Sequence, residues 1–362
     1  LPLPRPIDTG AGWDFSQRAP AAADGYRPPR RLAVLLPLSG QLATAAGPVR
    51  DGLLAGYHAE SRARPPVTFY DTTGTPAGAV AAYAKAVADG SDFVVGPLGR
   101  DEVGAVFAQA DLRVPGLALN RGNVAAPPGH LAFSLSPEDD GIAAADYLLS
   151  RENRNVLVIG GSDDNGRRAV DAFRARLAER GGKVAGVVSV GETDANGKLG
   201  DVSAQLAQAA AAGAAAVFLA GRGPQAPARA PQLAMAGFAS RTRVATSQVV
   251  SGTGKASEDV VLDGILFPGE AWPARGVAGL PAASQVAEML PTARGGAARL
   301  FAFGHDAWLV SAYLERLVTR SDGELAGATG TLRPDGFGNI LRQPQWTIFS
   351  GGMAVPLAAG GR

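Results

Sequence analysis

The sequence predicts an α/β fold of two lobes, each a parallel sheet flanked by helices, with a central cleft and a C-terminal β-hairpin. Three observations carry this. Strand-length apolar runs alternate with amphipathic helical patterns from Leu32 onward. Two such series of similar length follow one another, the second opening at Ser136-Pro137. After Thr329 the alternation stops, and Asp335-Gly336 between short strands signals a hairpin.

The first element is the most informative. In RLAVLLPLSGQLATAAG the continuous run Leu32–Leu36 reads as a strand buried on both faces. Pro37 and the Ser39-Gly40 turn end it, and Val49, Leu53 and Tyr57 then recur at helical spacing. Strand, tight turn and helix begin a βαβ unit. Strands at Val67–Asp71, Phe93–Val95, Gly116–Leu119 and Ala132–Ser134 continue the first series, with helices between the first four. In the second series Ser136 is a good N-cap, Pro137 suits the first helical position, and Glu138 to Asp140 complement the helix dipole. Helix Glu138–Ser150 leads to strands at Val156–Ile159, Val184–Val190, Ala215–Leu219 and Arg243–Thr246, with helices at Arg167–Arg180, Leu199–Ala212 and Pro231–Phe238. A further strand is expected at Gly264–Phe267, and Gly295–Thr319 carries the longest helical pattern. Residues 1–30, with six prolines, read as a linker or extended arm that Trp13 and Phe15 pin to the domain.

Composition narrows the function. The chain has 362 residues, 46% of them apolar, enough for two large cores. With 34 basic and 33 acidic residues it has no field suited to nucleic acid or an anionic membrane. The absence of cysteine excludes disulfides, thiolate metal sites and a cysteine nucleophile. No apolar stretch approaches the length that crosses a bilayer as a helix. The start, LPLPRP, has no Met and no apolar signal core, and reads as a processed chain or a piece of a longer one.

Catalytic motifs are missing. The first turn lacks G-x-G-x-x-G, and SGTGKAS departs from a phosphate loop at two positions. There is no G-x-S-x-G or S-x-x-K. His58, His130 and His305 are scattered, and His305-Asp306 reads as polar packing at the start of the long helix. No catalytic residue, metal site or cofactor is assigned, and no enzyme is expected. The binding candidates are turns at strand ends and helix starts, where backbone N–H groups and helix N-termini favour polar ligands. They are Ser39, Gln41, Gly96, Pro97, Leu98, Asn120 and Ser136, with Asp163 and Asp164 placed to clamp a cation or a ligand amine. The same residues also read as caps and turns.

Ordered blocks along the chain carry a family resemblance. LAVLLPLSGQLATAAGPVRDGLLAGY resembles the opening of type I periplasmic-binding folds, the leucine-binding class. With FYDTTGTPAGAVAAYAKAVADGSDFVVGPLGRDEV, FSLSPEDDGIAAADYL, GILFPGEAW, RLFAFGHDAWLV and LAGATGTLRPDGFGNILRQPQWTIFSGG, the chain resembles the LppC family from Arg31 to about Pro356. The best-known members are outer-membrane lipoproteins that activate class A penicillin-binding proteins. The resemblance implies a periplasmic protein, lipid-anchored at the outer membrane through a cysteine absent from this sequence. It implies a non-catalytic role, docking on a class A penicillin-binding protein and raising its activity in peptidoglycan synthesis. It further implies lobe one from 31–133 plus 249–327, and lobe two from 134–248 plus 328–362. In related amino-acid receptors the ligand contacts fall near Ser39, Gly96, Leu98 and Asn120, and Leu98 replaces the small hydroxyl residue found there. The alternative is a periplasmic receptor that binds a small polar ligand, an amino acid or peptidoglycan fragment, between the lobes.

Overall fold

The computed structural model describes residues 12–161, 163–189, 191, 200–221, 225–250 and 255–358. Residues 1–11, the expected strand end at Val190, the helix start at Leu199 and most of SGTGKAS lie outside them. The chain first lays down β1 (Leu32–Leu36), α1 (Ala43–Ala59), β2 (Val67–Asp71), α2 (Pro76–Ala88), β3 (Phe93–Val95), α3 (Arg100–Phe107), β4 (Gly116–Ala118) and β5 (His130–Phe133). Then come α4 (Pro137–Ser150), β6 (Asn155–Gly160), α5 (Asp164–Glu179), β7 (Lys183–Ser189), α6 (Ser203–Ala211), β8 (Ala216–Ala220), α7 (Gln225–Met235), β9 (Thr242–Ala245), α8 (Ala256–Asp259) and β10 (Ile265–Gly269). Next are α9 (Ala271–Arg275), α10 (Ala283–Met289), α11 (Ala297–Ala312), α12 (Leu314–Thr319), β11 (Leu325–Ala326), β12 (Thr331–Pro334) and β13 (Asn339–Gln343). The hairpin β14 (Gln345–Ser350) and β15 (Met353–Pro356) ends the described elements.

Two compact units result, 1–135 with 270–344 and 136–269 with 345–362. In unit 1 eight strands run in the order β11-β12-β13-β5-β4-β3-β1-β2. β13, β5, β4, β3, β1 and β2 are parallel, and β11 and β12 add an antiparallel edge. All five residues of β1 are buried, because both faces are covered. Leu32, Val34 and Leu36 pack on one side with Val49, Leu53 and Phe303, while Ala33 and Leu35 pack on the other with Ala82, Val103 and Phe107. Each buried Leu, Val or Phe among these contributes about 1.5–3 kcal/mol through burial, and each Ala less. α1 and α11 meet backbone to backbone. A Cβ on Gly52 would lie 1.9 Å from Phe301 O, and one on Gly304 would lie 1.9 Å from Val49 O.

Unit 2 has seven strands in the order β15-β14-β10-β9-β8-β6-β7. β10 through β7 are parallel, and the β14–β15 hairpin joins antiparallel at β10. Leu157 and Ile159 face one core layer, Val156 and Val158 the other. Phe173 of α5 stacks on Phe218 of β8 at 4.1 Å.

Several expectations need correction. The sheets are mixed, with antiparallel edges added to parallel centres. The expected boundary at 249 moves to 269, because β10 pairs with β9 (Ile265 beside Arg243) before the chain returns to unit 1. Residues 328–344 belong to unit 1 and not to the second lobe, because β13 aligns with β5 (Asn339 beside Ala132). The Asp335-Gly336 hairpin therefore sits in unit 1, and a second hairpin closes unit 2. The single long helix is two, broken at Tyr313, whose φ of −117° leaves the helical range. Residues 12–30 are a packed strap. Phe15 and Tyr26 are buried in the unit 1 core. The Arg18 guanidinium lies over Phe15 and Phe93. Arg27 makes two 2.8 Å bonds to Glu315.

His130 opens β5 as a buried residue, its ring edge-on to Phe107 at 5.7 Å. Burial holds its pKa below the usual histidine value. The unfolded chain thus binds this proton more tightly, so stability is full above the ordinary pKa of about 6.5 and falls as pH drops below it. Urea unfolding between pH 7.5 and 5 is expected to lose stability by up to about 1.4 kcal/mol per pH unit from this residue. His130→Gln should flatten that part of the slope.

Candidate functional site

In unit 1 the predicted binding residues gather at the carboxyl ends of β1, β3 and β4, which are neighbours in the sheet. The turn after β1 is held by Asp71, the last residue of β2. Its Oδ1 accepts the N–H groups of Leu38 (2.9 Å), Ser39 (3.3 Å) and Thr73 (2.8 Å). Its Oδ2 accepts the Ser39 hydroxyl at 2.6 Å. The Ser39 hydroxyl, followed by these N–H groups, holds the Asp71 carboxyl below the usual carboxylate range, with burial opposing. Gly40 carries a φ of +80° and passes so close to Thr73 O that a Cβ would stand 2.8 Å from it. Gln41 is exposed.

β3 ends in a cis Gly96-Pro97 bond. Gly96 N donates to Leu117 O at 2.8 Å, and Leu119 N donates to Pro97 O at 2.9 Å. Asn120 donates through Nδ2 to Leu98 O at 2.9 Å and accepts Arg121 N on Oδ1 at 2.9 Å. The Leu98 side chain packs on the apolar core. Glu102 is buried in the first turn of α3, where its Oε2 accepts Gly99 N at 2.6 Å and burial raises its pKa. The polar groups of this edge are thus largely committed to one another.

Ser136, Asp163 and Asp164 lie in unit 2. Ser136 Oγ accepts Asp139 N at 3.3 Å, capping α4. Asp163 Oδ1 accepts Gly166 N at 2.8 Å, capping α5. Asp164 is exposed, 3.6 Å from Arg167 and 3.8 Å from Arg168. Arg168 also makes a two-pronged pair with Glu138 at 2.7 and 2.9 Å, which joins the first turns of α4 and α5. Asp140 accepts the N–H (2.9 Å) and the hydroxyl of Ser247, tying α4 to the turn after β9.

The sequence reading missed the carboxylates that organise these turns. Asp71 looked like the end of a strand, although three threonines within four residues of it, at 72, 73 and 75, were a signal of a polar turn. Asp306 looked like a helix-start residue. It lies instead inside α11 and is fully buried. It accepts Ala328 N (2.6 Å), Thr329 N (2.8 Å) and the Thr329 hydroxyl (2.6 Å). Among the described residues no group of three His, Cys, Asp or Glu side chains is arranged to hold a metal ion.

The profile of one family, described as "LppC putative lipoprotein", matches residues 25–352. A Haemophilus influenzae protein named "Penicillin-binding protein activator LpoA" is 27% identical over 352 residues, covering 91% of this chain and 55% of that protein. The protein of the same name from Mannheimia succiniciproducens is 26% identical over 344 residues, covering 90% and 55%. The chain therefore spans about half the length of these relatives. Among solved structures, the C-domain of LpoA from H. influenzae, described as a regulator of PBP1A, superposes with a TM-score of 0.72 at 24% identity, covering 91% of this chain and 100% of that one. A "putative branched-chain amino acid ABC transporter" from Chromobacterium violaceum gives a TM-score of 0.68 at 28% identity, covering 88% and 99%. The fold is that of the type I periplasmic-binding class expected from the sequence.

Asp306→Asn removes the negative charge and sets an amide group among three donors. Urea unfolding should show a loss of about 3 kcal/mol, the scale of buried donors left without a good acceptor. A change below about 0.5 kcal/mol, the scale of an ordinary surface substitution, would show that the carboxylate does not hold the 327–330 turn.

Proposed function

The chain belongs to the LppC family, and from that premise we propose that it is a non-catalytic regulator of peptidoglycan synthesis. In this reading it works in the periplasm, on a polypeptide tethered to the outer membrane by lipid. It docks on a class A penicillin-binding protein and raises that enzyme's activity. The observation that carries the reading is the span of the family match. Residues 25–352 take in most of both units and all three crossings of the chain between them. Two relatives named as penicillin-binding protein activators align over nine-tenths of the chain or more.

A second reading is a receptor for a small polar ligand, an amino acid or peptidoglycan fragment, held between the lobes through Ser39, Gln41, Gly96, Pro97, Leu98, Asn120, Ser136, Asp163 and Asp164. The likeness to the C. violaceum structure favours it. The hydrogen bonding weighs against it. The N–H groups at Leu38 and Ser39 already serve Asp71, and the Asn120 amide already serves the backbone.

Two measurements separate the readings. Biolayer interferometry with immobilised ectodomains of class A penicillin-binding proteins should give saturable binding of this chain. Polymerisation assays on lipid II should then show a faster synthase. Failure to bind any such ectodomain overturns the regulator. In thermal-shift screens, amino acids and muropeptides are expected to leave the melting temperature unchanged. A true ligand at a hundred times its Kd would add about 2.7 kcal/mol, so saturable stabilisation would favour the receptor.

A further inference from the structure

β11 pairs antiparallel with β12 for only two residues, Leu325 beside Leu332 and Ala326 beside Thr331. In an unbroken ladder the next pair would be Glu324 and Arg333, opposite charges that favour each other across strands. The ladder stops short of it. A groove of about 780 Å³ opens there within unit 1, lined by residues 320–324 and by Arg333, Pro334, Asp335, Phe337 and Leu341. Its volume lies in the range of roughly 300–1,000 Å³ typical of binding pockets.

The two turns that line the groove are each held by their own bonds. Residues 320–323 fold back on the end of α12. There Gly323 N donates to Arg320 O at 3.1 Å, and a Cβ on Gly323 would stand 2.6 Å from Leu317 O. Arg320 pairs with Asp322 at 3.1 Å. In the β12–β13 turn, Asp335 Oδ1 accepts Phe337 N at 2.7 Å and Asn339 N at 3.0 Å, and its Oδ2 accepts Asn339 Nδ2 at 2.7 Å. Arg320, Asp322 and Asp335 are thus spent on the turns themselves.

Three groups of the groove are left uncommitted. Phe337 stands between Gly336 and Gly338, whose φ values of +78° and +88° suit glycine, and it keeps 41% of its surface exposed. The same ring lines a second hollow of about 230 Å³ with Asn123 and Asn339. Glu324 and Arg333 are exposed, and neither has an ion pair among the described residues. Phenylalanine and arginine are both enriched where proteins meet. An apolar ring beside two unpaired charges of opposite sign calls for a partner with an apolar side chain and both signs of charge. A polypeptide segment supplies all three, whereas a nucleic acid or an anionic lipid surface brings one sign and would be repelled by Glu324.

We propose that the chain docks on a class A penicillin-binding protein through this groove. It takes up an extended segment of that enzyme, with an apolar side chain on Phe337, a carboxylate at Arg333 and a cation at Glu324. The inference rests on the regulator reading above and adds a surface to it. The two charges are exposed and govern the association rate and its salt dependence, and the covered ring governs the lifetime of the complex.

Binding to an immobilised synthase ectodomain tests this. Phe337→Ala and Arg333→Glu should each weaken binding at least about tenfold, the scale of an interface hot spot. Met289→Ala, at another exposed apolar residue of unit 1, should bind like the parent. Added salt should slow association of the parent more than that of a variant carrying both Glu324→Ala and Arg333→Ala. All these side chains are exposed, so the variants should melt with the parent. A parent that binds while Phe337→Ala and Arg333→Glu bind equally well overturns the assignment of the groove and leaves the regulator reading standing. A parent that binds no such ectodomain overturns both. Dimerisation of the chain that Phe337→Ala abolishes would give the groove to a second copy and overturn its assignment to the synthase.

Discussion

In a fold whose strands are covered on both faces, the loops carry the unsatisfied backbone. Strand ladders and helices pair their own amides, but the turns between them leave N–H groups that must find acceptors. Here aspartate supplies them repeatedly. Asp71 takes three amides from two turns. Asp92 takes those of Arg30 and Arg31, where the strap enters β1. Asp263 takes Gly351 and Gly352 at the tip of the β14–β15 hairpin, and Asp335 takes Phe337 and Asn339 at the β12–β13 turn. Asp306 does the same for Ala328 and Thr329 from within a helix. A short carboxylate side chain is suited to this task, because bonds to an ionised acceptor are roughly twice as strong as neutral ones.

These bonds do more than satisfy donors. The chain visits unit 1, unit 2, unit 1 and unit 2 in turn, so each unit is assembled from segments far apart in sequence. Asp140 reaches across 107 residues to Ser247, and Asp263 across 88 to Gly351, both within unit 2. Asp306 joins residues 22 and 23 positions further on within unit 1. The buried ion cluster of Glu270 with Arg299 (3.0 Å) and Arg342 (3.6 Å) works in the same sense. Glu270 begins the returning segment of unit 1, and Arg342 lies two residues before its end. Apolar burial supplies the bulk of the stability; of these contacts Asp263 to Gly351 joins two segments of one unit, and the others tie distant points within a single segment.

That division explains what could be read in advance. Leu32–Leu36, Val67–Asp71 and Phe93–Val95 were legible to the residue; in the first and third an apolar run bounded by turn chemistry reports its own burial. The cap at Ser136 was legible because capping is local. Sheet membership was not. Nothing within Ile265–Gly269 says that it will lie beside β9, and nothing within Asn339–Gln343 says that it will lie beside β5. Those choices depend on a partner outside the strand itself, Arg243 beside Ile265 in the first case and the far more distant Ala132 beside Asn339 in the second. The break at Tyr313 was hidden because Leu309, Tyr313 and Leu317 keep helical spacing across it. Among the candidate residues, Ser39 and Asn120 were correctly placed at strand ends, but their hydrogen-bond partners were invisible. Asp71 reaches Ser39 from a neighbouring strand, 32 residues along the chain.

The same chemistry bears on function. A turn at the carboxyl end of a parallel strand binds a ligand when its donors are free to meet one. In unit 1 the turn after β1 has already met a carboxylate of its own, and Asn120 spends its amide on Leu98 O. Leu98 turns its side chain into the core, where a hydroxyl would have offered another donor. Several polar groups of this edge are therefore paired within unit 1. Ser39 and Asn120 thus stand at the strand ends where ligands bind in such folds, with the hydrogen bonds named above already made within unit 1.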